Sequence, residues 1–92
     1  MNTTVRELRR EARRKADGVV RIRFRNHQPV EIEGRLMDVS ASGFRMRHAC
    51  VSLATGQVVE FSHLEAAGQA RVIWNRIVAD RVETGFLVVG AE

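Results

Sequence analysis

The chain has 92 residues, with 15 Lys or Arg against 11 Asp or Glu, and 45% of its side chains are hydrophobic and 28% charged. That composition excludes a disordered or collagen-like polymer, and the length predicts one domain, residues 1–92, around one modest core. No apolar run approaches the roughly 20 residues of a membrane-spanning helix, the N-terminus lacks the apolar stretch of a secretory signal, and the single Cys50 excludes an internal disulfide or a zinc site built on several thiolates. A cytoplasmic protein without membrane insertion is expected.

Charge is unevenly distributed. Residues 1–25 carry nine positive side chains against three negative, and residues 26–92 carry six against eight. Fourteen of the fifteen basic residues are Arg, whose planar fork of donors suits phosphate oxygens or a guanine edge better than the point charge of Lys does. The positive end therefore points to an anionic partner with planar recognition features.

From Thr3 or Thr4 to Lys15 the sequence is Arg-rich and lacks Gly and Pro, and Thr4 with Glu7 has capping-box spacing, which predicts a short helix. Val5, Leu8 and Ala12 give it only a thin apolar stripe, so this arm, residues 1–17, is expected to be weakly held without a partner. After the Asp17-Gly18 turn, Val20, Ile22 and Phe24 alternate with Arg21, Arg23 and Arg25, the period of a half-buried strand. Val30, Ile32, Gly34 and Leu36 alternate with Glu31, Glu33 and Arg35 in a second strand that runs towards Asp38, with Gly34 expected to mark a bend or bulge. Ser40-Ala41-Ser42-Gly43 is a tight connection to a third strand through Phe44, Met46 and His48. Three further runs, Gln57–Phe61, Gln69–Trp74 and Thr84–Val89, follow turn signals at Thr55-Gly56 and at Glu65–Gly68. Six short strands predict an antiparallel barrel or sandwich, and because closure removes exposed edges a six-stranded antiparallel β-barrel over residues 18–90 is expected, with room for a short helix around 49–53. Its core is drawn from Val20, Ile22, Phe24, Ile32, Leu36, Phe44, Met46, Val58, Phe61, Val72, Trp74, Phe86 and Val88.

No catalytic constellation stands out. The carboxylates form no evident acid/base pair, no serine sits in a nucleophile elbow, no Gly-rich phosphate loop is present, and His27, His48 and His63 lack metal-ligand spacing. A non-enzymatic protein without cofactor or metal is expected. Two local features remain. Arg9-Arg10-Glu11-Ala12-Arg13-Arg14 contains two overlapping RxxxR registers, Arg9/Arg13 and Arg10/Arg14, and such like-charge spacing makes physical sense around an anion. Asp38-Val39-Ser40-Ala41-Ser42-Gly43 places a carboxylate and a hydroxyl on one side of an extended chain, ahead of a glycine able to take positive φ. A carboxylate accepts from the N1–H and N2–H₂ of guanine while an Arg fork donates to O6 and N7, so the two features together suit a guanine nucleotide.

In order and at this separation, the RxxxR segment and the DxSxxG turn resemble the PilZ domain, the bacterial receptor module for cyclic di-GMP. The resemblance covers about residues 6–89 and includes Gly56-Gln57-Val58-Val59, Gly68–Trp74 and Gly85-Phe86. It implies a six-stranded barrel with an N-terminal arm that folds over the ligand. It further implies that Arg10 and Arg14 contact phosphates and guanine edges with Arg9 as the preceding basic residue, that Asp38 accepts from guanine, that Ser40 bonds a phosphate or base atom, and that Gly43 permits the turn. The doubled arginines equally allow Arg9/Arg13 as the working pair, and a basic residue ahead of the motif is associated in that family with an intercalated ligand dimer.

Function is then expected to be that of a cyclic di-GMP receptor or adaptor in second-messenger signalling, with ligand ordering residues 4–17 onto the barrel and changing the surface offered to a downstream protein partner. The alternatives are a small basic barrel that binds nucleic acid, disfavoured because the aromatic residues are assigned to the core and leave no stacking platform, and a PilZ-like interaction module that binds no nucleotide.

Overall fold

The computed structural model describes residues 12–91. The expected helix start at Thr3 or Thr4, and Arg9 and Arg10, lie outside the described residues. The described residues form seven strands: β1 (Arg14–Lys15), β2 (Val19–Asn26), β3 (Gln28–Val39), β4 (Gly43–His48), β5 (Val58–His63), β6 (Ala66–Val78) and β7 (Arg81–Ala91). All pairings are antiparallel, and the order β3-β2-β5-β6-β7-β4 closes on itself through β3–β4, a six-stranded barrel with β1 as an extra strand. There is no helix among the described residues, and so none long and apolar enough to cross a membrane.

Alternation accounts for most of the interior. Val20, Ile22, Ile32, Leu36, Phe44, Met46, Phe61, Val72 and Phe86 are buried as expected, with Phe24 and Val88 packed at the margin. Phe44 is the hub, tilted on Phe61 with ring centroids 4.8 Å apart and stacked on Phe86 at 4.7 Å. Two expected core residues are outside. Val58 is exposed and Val59 takes its place, because two steps back from inward-facing Phe61 lies Val59. Trp74 is half-buried on the outer surface.

Other expectations are also corrected. The described end of the arm is no helix: β1 pairs with Asp38 and Val39, beyond the point where β2 leaves β3 at Arg35. Residues 49–53 hold a bend at Ala49 and a turn at Val51-Ser52, and no helix. Gly34 stays in register opposite Val20, and the irregularity in β3 lies between Leu36 and Asp38. Gly34 is small for another reason, since a Cβ there would meet the backbone of Arg47 and the Met46 side chain. The β6 and β7 strands run on as a hairpin through residues 75–84, turning at Ala79, whose φ of 57° is left-handed.

Candidate functional site

Two β-bulges build the site. In β3, Leu36 points inward opposite Met46, and strict alternation would turn Asp38 inward too; the extra residue Met37 brings Asp38 opposite Arg45 on the outside. In β6, Val72 points inward opposite Phe86, and the extra residue Ile73 brings Trp74 opposite Gly85 on the outside. Cross-strand partners share a face, so the registers Lys15–Asp38, Asp38–Arg45, Arg45–Gly85 and Gly85–Trp74 make one lateral row across β1, β3, β4, β7 and β6. Gly85 carries no side chain in this row, and the Nε1, Cε2 and Cζ2 atoms of Trp74 occupy the space that one would fill. A groove of about 470 Å³ results, lined by Arg13, Gly43, Arg45, Ile73, Trp74 and Leu87 among others.

Asp38 is the electrostatic centre. Arg13 Nε donates to its Oδ1 at 3.2 Å, and Arg45 Nε donates to its Oδ2 at 2.7 Å, with Arg45 Nη2 also on Oδ2. Only 8% of the Asp38 side chain is exposed, against 44% for Arg13 and 31% for Arg45, so the two forks cover the carboxylate and face solvent themselves. Burial pushes the Asp38 carboxyl up, but the hydrogen bond and charge of Arg45, with those of Arg13, outweigh it and leave Asp38 below the ordinary carboxylate range. The same hydrogen bond to Asp38 raises Arg45.

Ser40 joins the cluster. Arg13 Nη1 donates to Ser40 Oγ at 3.3 Å, so one guanidinium spans the carboxylate and the hydroxyl that the sequence spacing places on a common side. The turn is closed by Ser40 N–H donating to Gly43 O at 2.8 Å. Gly43 is not in the left-handed region; its smallness serves close approach of β7, because a Cβ would overlap Phe86 O.

The structure separates the neighbouring arginines. Arg13 reaches Asp38 and Ser40, whereas Arg14 pairs with both carboxylate oxygens of Glu65 on the β5–β6 turn. This pairing holds Glu65 below its ordinary value and raises Arg14. Asp38 and Glu65 thus supply counter-charges that the sequence reading left to a ligand, and Arg14–Lys15 already pairs with β3, with Ala16 N–H donating to Met37 O. Arg45 and Trp74 are the residues sequence reasoning missed. Arg45 stands two residues after the glycine of the DxSxxG turn and alternates with inward Phe44 and Met46, a signal available in the pattern, while the bulge that exposes Trp74 leaves no such trace.

His48 is buried with both ring nitrogens engaged: its Nδ1 accepts from Cys50 N–H at 3.0 Å and its Nε2 lies 2.6 Å from Thr84 Oγ1. Compared with models of known protein families and with curated proteins, the chain matches none.

Proposed function

We propose that this chain is a non-enzymatic receptor module for cyclic di-GMP, held by Arg13, Asp38, Ser40, Arg45 and Trp74. The observation that carries the reading is the contact of Arg13 with both Asp38 and Ser40, which unites the RxxxR segment and the DxSxxG turn at one point. The resemblance of those motifs to the PilZ domain supports the same ligand. Chemically, the forks of Arg13 and Arg45 suit phosphate oxygens or the O6/N7 edge of guanine, the carboxylate of Asp38 suits N1–H and N2–H₂, and the outward indole of Trp74 suits a purine face. Both Asp38 oxygens are engaged by arginine, so a guanine that takes one must displace Arg13 or Arg45, and the released fork is free for a phosphate. Such an exchange costs little net charge separation and alters the surface formed by β1 and the β3–β4 turn, which is what a protein partner would read.

Isothermal titration with cyclic di-GMP tests the proposal. Saturable binding to the native chain, lost in Asp38→Ala and in Arg13→Ala, is the expected result; a folded protein giving no heat overturns it. A second reading has a specific observation in its favour, because Trp74 outside the barrel beside Arg13 and Arg45 supplies the stacking surface that a single-stranded nucleic acid uses. Salt separates the two: a strand bound through many phosphates loses affinity steeply with ionic strength, and a dinucleotide with two phosphates loses far less.

A further inference from the structure

Glu83 makes no hydrogen bond to the cluster around Asp38, although its charge adds to the raising of Arg45, and it is a nearly buried carboxylate on the outer side of the barrel, with 5% of its side chain exposed. It lies in the next outward row, defined by the registers Arg35–Arg47, Arg47–Glu83 and Glu83–Arg76. Arg76 spends two donors on one of its oxygens, Nε at 3.1 Å and Nη2 at 2.9 Å from Oε1, and Arg47 Nη2 donates to Oε2 at 3.3 Å. The Arg76 guanidinium carbon is 5.5 Å from the centroid of the Trp74 ring. Arg76 and Trp74 are two residues apart on one strand and so share its outer face.

We propose that Glu83 is a positioning residue for Trp74, acting through Arg76: it fixes the guanidinium over the indole, and the guanidinium and Gly85 together set the ring at the edge of the Arg13–Arg45 groove before any ligand arrives. This rests on the reading of that groove as a guanine-nucleotide site. Three facts support it. Glu83 is covered but Arg76 is 59% exposed, and an ion pair open to solvent on one side contributes little stability, so stability alone does not account for the arrangement. A planar cation against an indole is attractive and directional. Finally, the residue directly opposite Trp74 on the neighbouring strand is Gly85, so no side chain at the paired position limits the rotamers of the indole. Holding it in advance lowers the ordering cost of binding, which for one side chain corresponds to about two- to tenfold in affinity.

Trp74 is the only tryptophan, so its emission reports on the ring alone. The test compares the native chain with Arg76→Gln, Glu83→Gln and Arg47→Gln, measuring acrylamide quenching and anisotropy of Trp74 in the free protein and the affinity for cyclic di-GMP. Arg47 shares Glu83 with Arg76, whereas the cation over the Trp74 ring is Arg76, so Arg47 reports on loss of the ion pair as such. Expected is a more readily quenched, more mobile indole in Arg76→Gln and Glu83→Gln, with affinity lowered about two- to tenfold, and an unchanged indole in Arg47→Gln. The proposal is overturned if the indole in Arg76→Gln behaves as in the native chain, or if Arg47→Gln reproduces the change in full. Should the native chain bind no cyclic di-GMP, the site reading fails, and the quenching of the free protein still decides whether Glu83 and Arg76 position Trp74.

Discussion

Trp74 rests on Gly85: the register pairs the two across β6 and β7, and the indole fills the volume that a side chain on the glycine would need. The closeness is steric and has nothing to do with backbone strain, since Gly85 is not among the residues with positive φ. Gly85→Ala is therefore expected to leave the barrel folded and to push the indole off its seat. The measurements are the Trp74 emission maximum and the cyclic di-GMP affinity, with a red-shifted maximum and roughly tenfold weaker binding expected, the loss of one aromatic stacking contact. An unshifted spectrum would show that the ring does not depend on this glycine.

Arg13 and Arg14 are adjacent in sequence and differ in partner, which gives the doubled RxxxR motif a test. Arg13 faces Asp38 and Ser40, and Arg14 faces Glu65. Truncating Arg13 to Ala removes charge-assisted bonds at the site and is expected to weaken cyclic di-GMP binding by ten- to a hundredfold. Arg14→Ala acts at the far side of β1 and is expected to change affinity less than about threefold, as exposed ion pairs contribute little. Titration of both variants decides between the registers. Equal losses would mean that Arg14 leaves Glu65 to join the ligand.

How much of this was legible in the sequence depends on parity. Wherever alternation ran unbroken, as from Val20 to Phe24 and from Phe44 to His48, strand, face and neighbours were readable from period alone. Val59 was readable too, by counting back from Phe61. Trp74 was not, because one extra residue in β6 reverses every face beyond it, and a bulge at Ile73 has no compositional mark of its own. The same mechanism moved the irregularity of β3 from Gly34, where composition suggested it, to the stretch between Leu36 and Asp38. For the site, the spacing of Asp38 and Ser40 was legible and their union with Arg13 was not, since that contact spans 25 residues and depends on β1 lying along β3.

Acid stability follows from the two covered carboxylates. Asp38 and Glu83 are both held below their ordinary values, Glu83 chiefly by its hydrogen bond from Arg76, against which burial works, with help from Arg47. For a group whose folded pKa is depressed, the unfolded chain binds more protons as pH falls, so the stabilisation is present above the unfolded values, about 3.9 for Asp and 4.3 for Glu, and is lost as pH falls through the folded ones. Urea unfolding midpoints are expected to be flat with respect to these groups above about pH 5.5 and to fall below about pH 4.5. Asp38→Asn and Glu83→Gln should each lower the midpoint at neutral pH and shallow the acid limb. An acid limb identical to the native one in both variants would assign it to other carboxylates.

Near neutral pH a different group governs. His48 Nδ1 accepts from Cys50 N–H, so the proton of the neutral ring is on Nε2, which donates to Thr84 Oγ1; Thr84 in turn donates to Asn75 Oδ1 at 2.6 Å, and Asn75 Nδ2 donates to Leu53 O at 2.8 Å. All four bonds run in one direction, and they tie the turn after β4 to the β6–β7 hairpin. Burial pushes His48 below the usual 6.5, and a second proton would have to sit on Nδ1, where Cys50 N–H already donates. The unfolded chain therefore takes up a proton near pH 6.5 that the folded chain refuses, and stability falls as pH drops from about 7 towards 5, with a slope of at most about 1.4 kcal/mol per pH unit for one proton. His63, lowered by burial and partly restored by Glu65, acts in the same window and sense. Unfolding free energies for His48→Gln, made in a His63→Gln background to remove that second contribution, are expected to lose the slope between pH 7 and 5 and to keep the steeper carboxylate limb below it. Retention of the slope in the double variant would place the neutral-range titration outside the His48–Thr84–Asn75 relay.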